Sequence, residues 1–248
     1  MTADASKRGA CLVVGAGPGV GASVARAFAD EGLAVCLTRR PRNLPELEDL
    51  AAEIRSGGGE AHAFGVDARE EAEMIALVDR IEAEIGPLEV VVFNIGANVW
   101  FPIVETTTRV YTKVWEMAAL SGFIAGREAA RVMSPRGQGT IVFTGATASV
   151  RGRAEFSAFS GAKHALRALA QSMARELGPK GIHVAHVICD GSIDGTFSRQ
   201  RLGDVDERLA ADTILKPDEI ARNYVWLHNQ GRSAWTFEMD LRPWSEPW

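Results

Sequence analysis

Gly15-Ala16-Gly17-Pro18-Gly19-Val20-Gly21 follows a short apolar run, residues 10–14, and opens an amphipathic stretch, residues 20–31. Glycines in such a place let the backbone turn tightly and come close to a ligand. The helix that follows presents unpaired N–H groups at its start. That combination suits a pyrophosphate, whose negative charge the N-terminal end of a helix favours. Strand, glycine turn and helix in this order predict a dinucleotide-binding β–α unit. A glycine turn needed only for close helix–strand packing is the alternative.

Outward from this unit, apolar runs alternate with amphipathic stretches along the whole chain. Strands are predicted at residues 10–14, 33–38, 60–65, 88–93, 140–143, 182–188 and 234–241. Most are short and continuously apolar, as parallel strands covered on both faces are. Helices are predicted at residues 20–31, 45–56, 69–85, 107–133, 155–177 and 217–229. Breaks at Ser56-Gly57-Gly58-Gly59, Gly86-Pro87 and Gly178-Pro179 end three of them. Strict alternation of β and α implies an α/β fold, a Rossmann-type doubly wound parallel sheet of about seven strands flanked by helices. With no linker, repeat or low-complexity tract, residues 1–248 read as a single NAD(P)-binding domain.

The 248 residues, 46% hydrophobic and 24% charged, suffice for a large core. A formal net charge of -5 argues against a nucleic-acid partner, which calls for a basic surface. No apolar run reaches the ~18 residues that span a bilayer, so no membrane partner is expected. Met1 to Ala10 are polar and carry no secretory apolar region, so the expected location is cytoplasmic. Cys11, Cys36 and Cys189 fall in or at the ends of predicted strands without metal-ligand spacing. Buried reduced thiols are expected there, and no metal site.

The spacing of Gly15, Gly19 and Gly21, Gly-x-x-x-Gly-x-Gly, resembles that of the short-chain dehydrogenase/reductase family, and the resemblance runs through nearly the whole chain. It implies cofactor contacts from Gly15, Gly17, Gly19, Val20 and Gly21. Asp67, with Ala68 beside it, is similar to the family's adenine-contacting aspartate, although it would equally serve as a cap for a helix over 69–85. Phe93-Asn94-Ile95-Gly96 is similar to the family's Asn-Asn-Ala-Gly segment: Asn94 and Gly96 match, Phe93 and Ile95 depart. At the end of the second strand an acidic residue would take the ribose hydroxyl of NAD, and a basic one the 2′-phosphate of NADP. Arg39 and Arg40 stand there, and their forked donors suit a phosphate, so NADP is expected rather than NAD. A solvated basic loop is the alternative.

The family resemblance also implies where the catalytic groups would lie. Its asparagine, serine, tyrosine and lysine fall on Ala119, Ala146, Phe159 and Lys163 of this chain. Phenylalanine has no hydroxyl and cannot move a proton. Phe156, where the enoyl reductase branch carries its tyrosine, offers none either. Tyr111 and Tyr224 are poorly placed, and His164 is expected on a helix surface. Lys163 retains the family's ribose-binding role. Ser149, Asp190 and Asp194 are substitute proton-handling groups, with turn capping as the alternative for the two aspartates. Trp100 and Phe101 are expected to wall an apolar substrate pocket, with ordinary core packing as the alternative. The chain thus reads as an NADP-dependent oxidoreductase acting on a small-molecule carbonyl or alcohol with a degenerate catalytic set. The alternative is a non-catalytic NADP-binding sensor or partner subunit. Trp244 and Trp248 on a short tail suit a subunit contact, and the resemblance implies a homodimer or homotetramer; the apolar stripe Phe156, Phe159, Leu166, Leu169, Met173 and Leu177 reads mostly as core packing.

Overall fold

The first strand, β1 (Ala10–Val14), is buried at every position. Successive side chains of a strand point to opposite faces, so a strand without a polar residue needs cover on both sides. Cys11 and Val13 join one core with α1 (Val20–Asp30), α2 (Leu44–Ser56) and α9 (Pro217–His228). Ala10, Leu12 and Val14 join a second core with α3 (Glu71–Arg80), α5 (Ser121–Met133) and α6 (Ser157–Leu177). The same alternation in β2 (Ala34–Arg39), β4 (Leu88–Phe93), β5 (Gly139–Thr144) and β6 (Ile182–Cys189) makes a three-layer α/β/α body. This computed structural model describes residues 9–246.

With β3 (Glu60–Gly65) and β7 (Glu238–Leu241), seven strands form one parallel sheet in the order β3-β2-β1-β4-β5-β6-β7. The order reverses between β1 and β4. In an open parallel sheet that reversal leaves a crevice outside the carboxyl ends of the strands, where ligands bind. Gly15 leaves β1 and Asn94 leaves β4 at this point.

Three predicted elements differ. Residues 107–133 are helical without a break from Thr108, but the helix widens to a π turn at Glu116–Leu120, between α4 (Thr108–Trp115) and α5. Another π turn, Ile81–Ile85, ends α3, which itself starts at Glu71 rather than at residue 69. The last strand is four residues long, not eight, because Gln230 captures the chain before it. Its side-chain oxygen accepts from Thr236 N at 2.7 Å, and its backbone oxygen accepts from Trp235 Nε1 at 3.3 Å. Two short helices, α7 (Thr196–Arg199) and α8 (Val205–Ala210), occupy a stretch between β6 and α9 for which no element is predicted. The three cysteines are buried, and burial pushes the thiols of Cys36 and Cys189 up to about 12. Among the described residues no helix is long and apolar enough to cross a membrane. Trp248 lies outside the described residues. Trp244 is 80% exposed and touches its own chain through one hydrogen bond, Nε1 to Ala211 O at 3.3 Å.

Candidate cofactor and reaction site

The glycine string folds into a turn that only glycine tolerates at two points. Gly15 has φ +95°, and a Cβ on Gly21 would stand 2.4 Å from Gly15 O. Gly15 N and Ala16 N both donate to Thr38 O, at 2.9 and 3.2 Å, which ties the turn to β2. The start of α1 then faces the crevice with the open donors of a helix N-terminus. Gly15, Gly17, Thr38, Arg39, Arg40, Asp67, Ala68, Asn94, Gly96 and Met117 line one cleft. Thr38 Oγ1 is buried there without a hydrogen-bond partner among the described residues, as a group awaiting a ligand atom would be. The turn, the open helix end and this orphan hydroxyl fit a dinucleotide.

The ribose end of the cleft is cationic. Arg39 closes over Gly17: its guanidinium Nε would lie 3.5 Å from a Cβ added there. It is not a free cation, because it pairs with Glu46 of α2. Arg40 makes no ion pair with a described residue. Burial, then its neighbours Arg42, Arg69 and Arg39, lower its pKa, with only Asp67 acting the other way. Crowded like charges of this kind are relieved by an anion. Asp67 does not cap α3. Its carboxylate takes Arg69 Nε at 2.9 Å and Arg69 N at 3.2 Å, and that guanidinium holds it below the usual carboxylate range.

Lys163 sits where α6 meets the ends of β4 and β5. It is 2% exposed, and Nζ donates to Thr144 O at 2.8 Å and Ile95 O at 3.1 Å. Burial lowers its pKa from 10.5 to about 8. Phe159, one helical turn earlier, is 6% exposed and packs in an apolar cluster with Val114, Ala118 and Ala148, against which Ala146 also rests. Its ring centre is 6.0 Å from Lys163 Nζ, within cation–π range. Ala119 is buried in the π turn that carries Met117 to the cleft.

None of the substitute groups is free. Ser149 is fully buried, and its Oγ accepts from Ala146 N at 3.1 Å. Asp190 is 1% exposed rather than a surface cap. Thr147 Oγ1, Arg151 at 3.2 Å and Arg242 at 2.8 Å hold its carboxylate. Asp194 pairs with Arg199 at 2.7 Å. Tyr224 is fully buried and shares a 2.9 Å hydrogen bond with Thr144 Oγ1, on the far side of the residue whose carbonyl holds Lys163. His164 is exposed, as expected, and Tyr111 is exposed on α4.

Sequence reasoning found Trp100 but not its company. Trp100 stacks on Phe156, with ring centres 6.4 Å apart, and meets Phe197 edge-on at 5.8 Å. Phe101 is 40% exposed, yet its N–H donates to Glu155 O at 2.9 Å and joins the two loops that flank the site. Each loop carries a non-glycine residue in the left-handed region, Ala97 at φ +73° and Glu155 at φ +69°. Such conformations cost about 1 kcal/mol or more and gather at ligand clamps.

An open parallel sheet with a glycine turn and a cation-lined cleft at its strand-order reversal is a dinucleotide-binding Rossmann fold. The chain belongs to the short-chain dehydrogenase family, whose model matches residues 10–206. It is 30% identical over 227 residues to a cis-4-hydroxycyclohexanecarboxylate dehydrogenase of Sinomonas cyclohexanicum, covering 90% of each chain. A crystal structure of a short-chain dehydrogenase from Rhodopseudomonas palustris matches 95% of this chain and 99% of its own, with 49% identity and a TM-score of 0.82. The crystal structure of a tryptophan-substituted actinorhodin polyketide ketoreductase with NADPH matches 95% of this chain and 96% of its own, with 25% identity and a TM-score of 0.86.

Proposed function

We propose that this chain is a single-domain NADP(H)-dependent oxidoreductase of small-molecule carbonyl or alcohol compounds in which Lys163, not a tyrosine, handles the proton. The observation that carries this is Lys163 itself. A buried ammonium is costly. Here it is kept beside Phe159 and against the backbone of Ile95, a residue of the cofactor cleft, with two of its three N–H groups satisfied by carbonyls. The cationic cluster at Arg39 and Arg40 supports NADP over NAD, and the relative that binds NADPH is in keeping with it.

Bound NADPH supplies the hydride. The glycine turn and the first turn of α1 hold the pyrophosphate, Arg40 and Arg39 the 2′-phosphate, and Asn94 and Gly96 the nicotinamide side. The Lys163 ammonium gives its proton to the carbonyl oxygen as it becomes an alcohol, and water recharges the amine. With a pKa of about 8, the ammonium predominates at neutral pH and is still acidic enough to donate.

A second reading is favoured by one observation. Phe159, Ala146 and the Ala118–Ala119 turn pack against one another as an apolar unit would in a chain that only binds nucleotide. Titration with NADPH, followed by NADPH oxidation over a panel of aldehydes and ketones, separates the two. Turnover that is lost in Lys163→Met supports the oxidoreductase. Tight NADPH binding without turnover supports a sensor or partner subunit.

A further inference from the structure

We infer that the substrate is an organic acid, an apolar oxo- or hydroxy-compound whose carboxylate is held by Arg201 at the mouth of the reaction cleft. This rests on the oxidoreductase reading above. Arg201 stands over Trp100, its guanidinium carbon 3.2 Å from the ring centre, and 4.7 Å from the centre of Phe197. It makes no ion pair with any described residue. Its neighbours behave differently: Arg199 pairs with Asp194 and Asp206, and Arg151 with Asp190. A guanidinium stacked on an aromatic face loses water from that face but keeps its N–H edges outward in a fixed fork. A fork held in place without a counter-ion recruits a planar anion, and a carboxylate matches it in two parallel hydrogen bonds.

The wall beneath Arg201 is continuous with the reaction centre. The Trp100 ring stacks on Phe156, the Phe156 ring centre is 6.2 Å from that of Phe159, and the Phe159 ring faces Lys163 Nζ at 6.0 Å. An apolar body laid along these rings would place a carbonyl at the Lys163 end and an acid group at the Arg201 end. Arg153 stands over Phe156 at 5.7 Å, also without an ion-pair partner among the described residues, and adds positive potential to the same wall.

The test compares 4′-acetylbiphenyl-4-carboxylate, whose ketone and carboxylate lie at opposite ends of an apolar body, with its uncharged amide by calorimetric titration of the native protein saturated with NADP, the oxidised cofactor preventing turnover. The acid is expected to bind at least about tenfold more tightly than the amide. Arg201→Met, which keeps the length and apolar contact of the side chain, should bring the acid to the level of the amide while NADPH affinity stays unchanged. Equal binding of acid and amide by the native protein would overturn the inference, as would an acid preference that survives in Arg201→Met or no binding of either probe at low-millimolar concentration. The native comparison needs no variant, so a poorly folding Arg201→Met leaves it decisive. NADPH affinity is measured first on the same samples. Its absence counts against the cofactor reading, and the preference for the acid is then read on the protein alone.

Discussion

Phe159 differs from a tyrosine by one oxygen, yet it is almost wholly enclosed by Val114, Ala118, Ala148 and Ala158. Restoring the hydroxyl alone would add a polar atom to an apolar cluster. Restoring it with Ala146→Ser gives it a hydrogen-bonding neighbour. The double change Phe159→Tyr with Ala146→Ser is therefore expected to raise NADPH oxidation on simple ketones about 10- to 100-fold over a slow native rate. Steady-state absorbance measures it, and an unchanged rate would show that the pocket does not admit the substrate to this wall. At the ribose end, Arg40→Ala should weaken NADPH about tenfold or more and leave NADH nearly untouched. Arg39→Asp should reverse the order of the two cofactors, since it places a carboxylate beside the ribose and strands Glu46. Equal native affinities for NADPH and NADH would remove the phosphate role from both arginines. The arginines were legible because they stand at a strand end. The contacts of Lys163 with Thr144, Asp190 with Arg242 and Arg201 with Trp100 were not, since each joins residues far apart in the chain, and no local pattern connects them.

Elements were legible where a pattern repeats locally. Residues 10–14, 60–65 and 88–93 fold as strands with the expected bounds, because short apolar runs between breaks leave little choice. The π turn at Glu116–Leu120 was not legible: it adds a residue to one turn without altering the apolar spacing on either side. It falls where the family's asparagine is expected, and Ala119 there has no polar group to present. Residues 196–210 escaped because α7 and α8 are too short for periodicity to show. The glycine turn offers the sharpest test at this scale. Gly21→Ala forces a Cβ into Gly15 O and Ala16 Cα, 2.4 and 2.8 Å away, both backbone atoms that cannot yield cheaply. A loss of about 1–3 kcal/mol in denaturant unfolding is expected, with NADPH affinity falling alongside. An unaltered midpoint and affinity would mean that α1 can shift away from the turn.

Across the whole molecule, two buried histidines of β6, His183 and His186, and the half-buried His228 of α9 link the fold to acid stability. His186 on β6 is fully buried, and burial lowers its pKa from 6.5 to about 4; His183 and His228 are lowered for the same reason. The unfolded chain therefore takes up protons below pH 6.5 that the native state refuses, so stability falls as pH drops from about 6.5 to about 4. His186 alone accounts for a loss on the order of 3 kcal/mol. Urea titrations across that range should show it, and His186→Gln should flatten the curve. Tyr111, Trp115 and Phe123 stand exposed on α4 and α5, and Ile103 and Val104 precede them. An apolar surface of this kind, with the exposed Trp244, supports a homodimer or homotetramer. Light scattering of a monomer at micromolar concentration would contradict it.

The proton at Lys163 decides the account most directly. Single-turnover NADPH oxidation with a carbonyl substrate, followed from about pH 6 to about pH 10, should hold a plateau and then fall through about pH 8, where the buried ammonium loses its proton. A rate independent of pH across that range, or one retained in Lys163→Met, would contradict it.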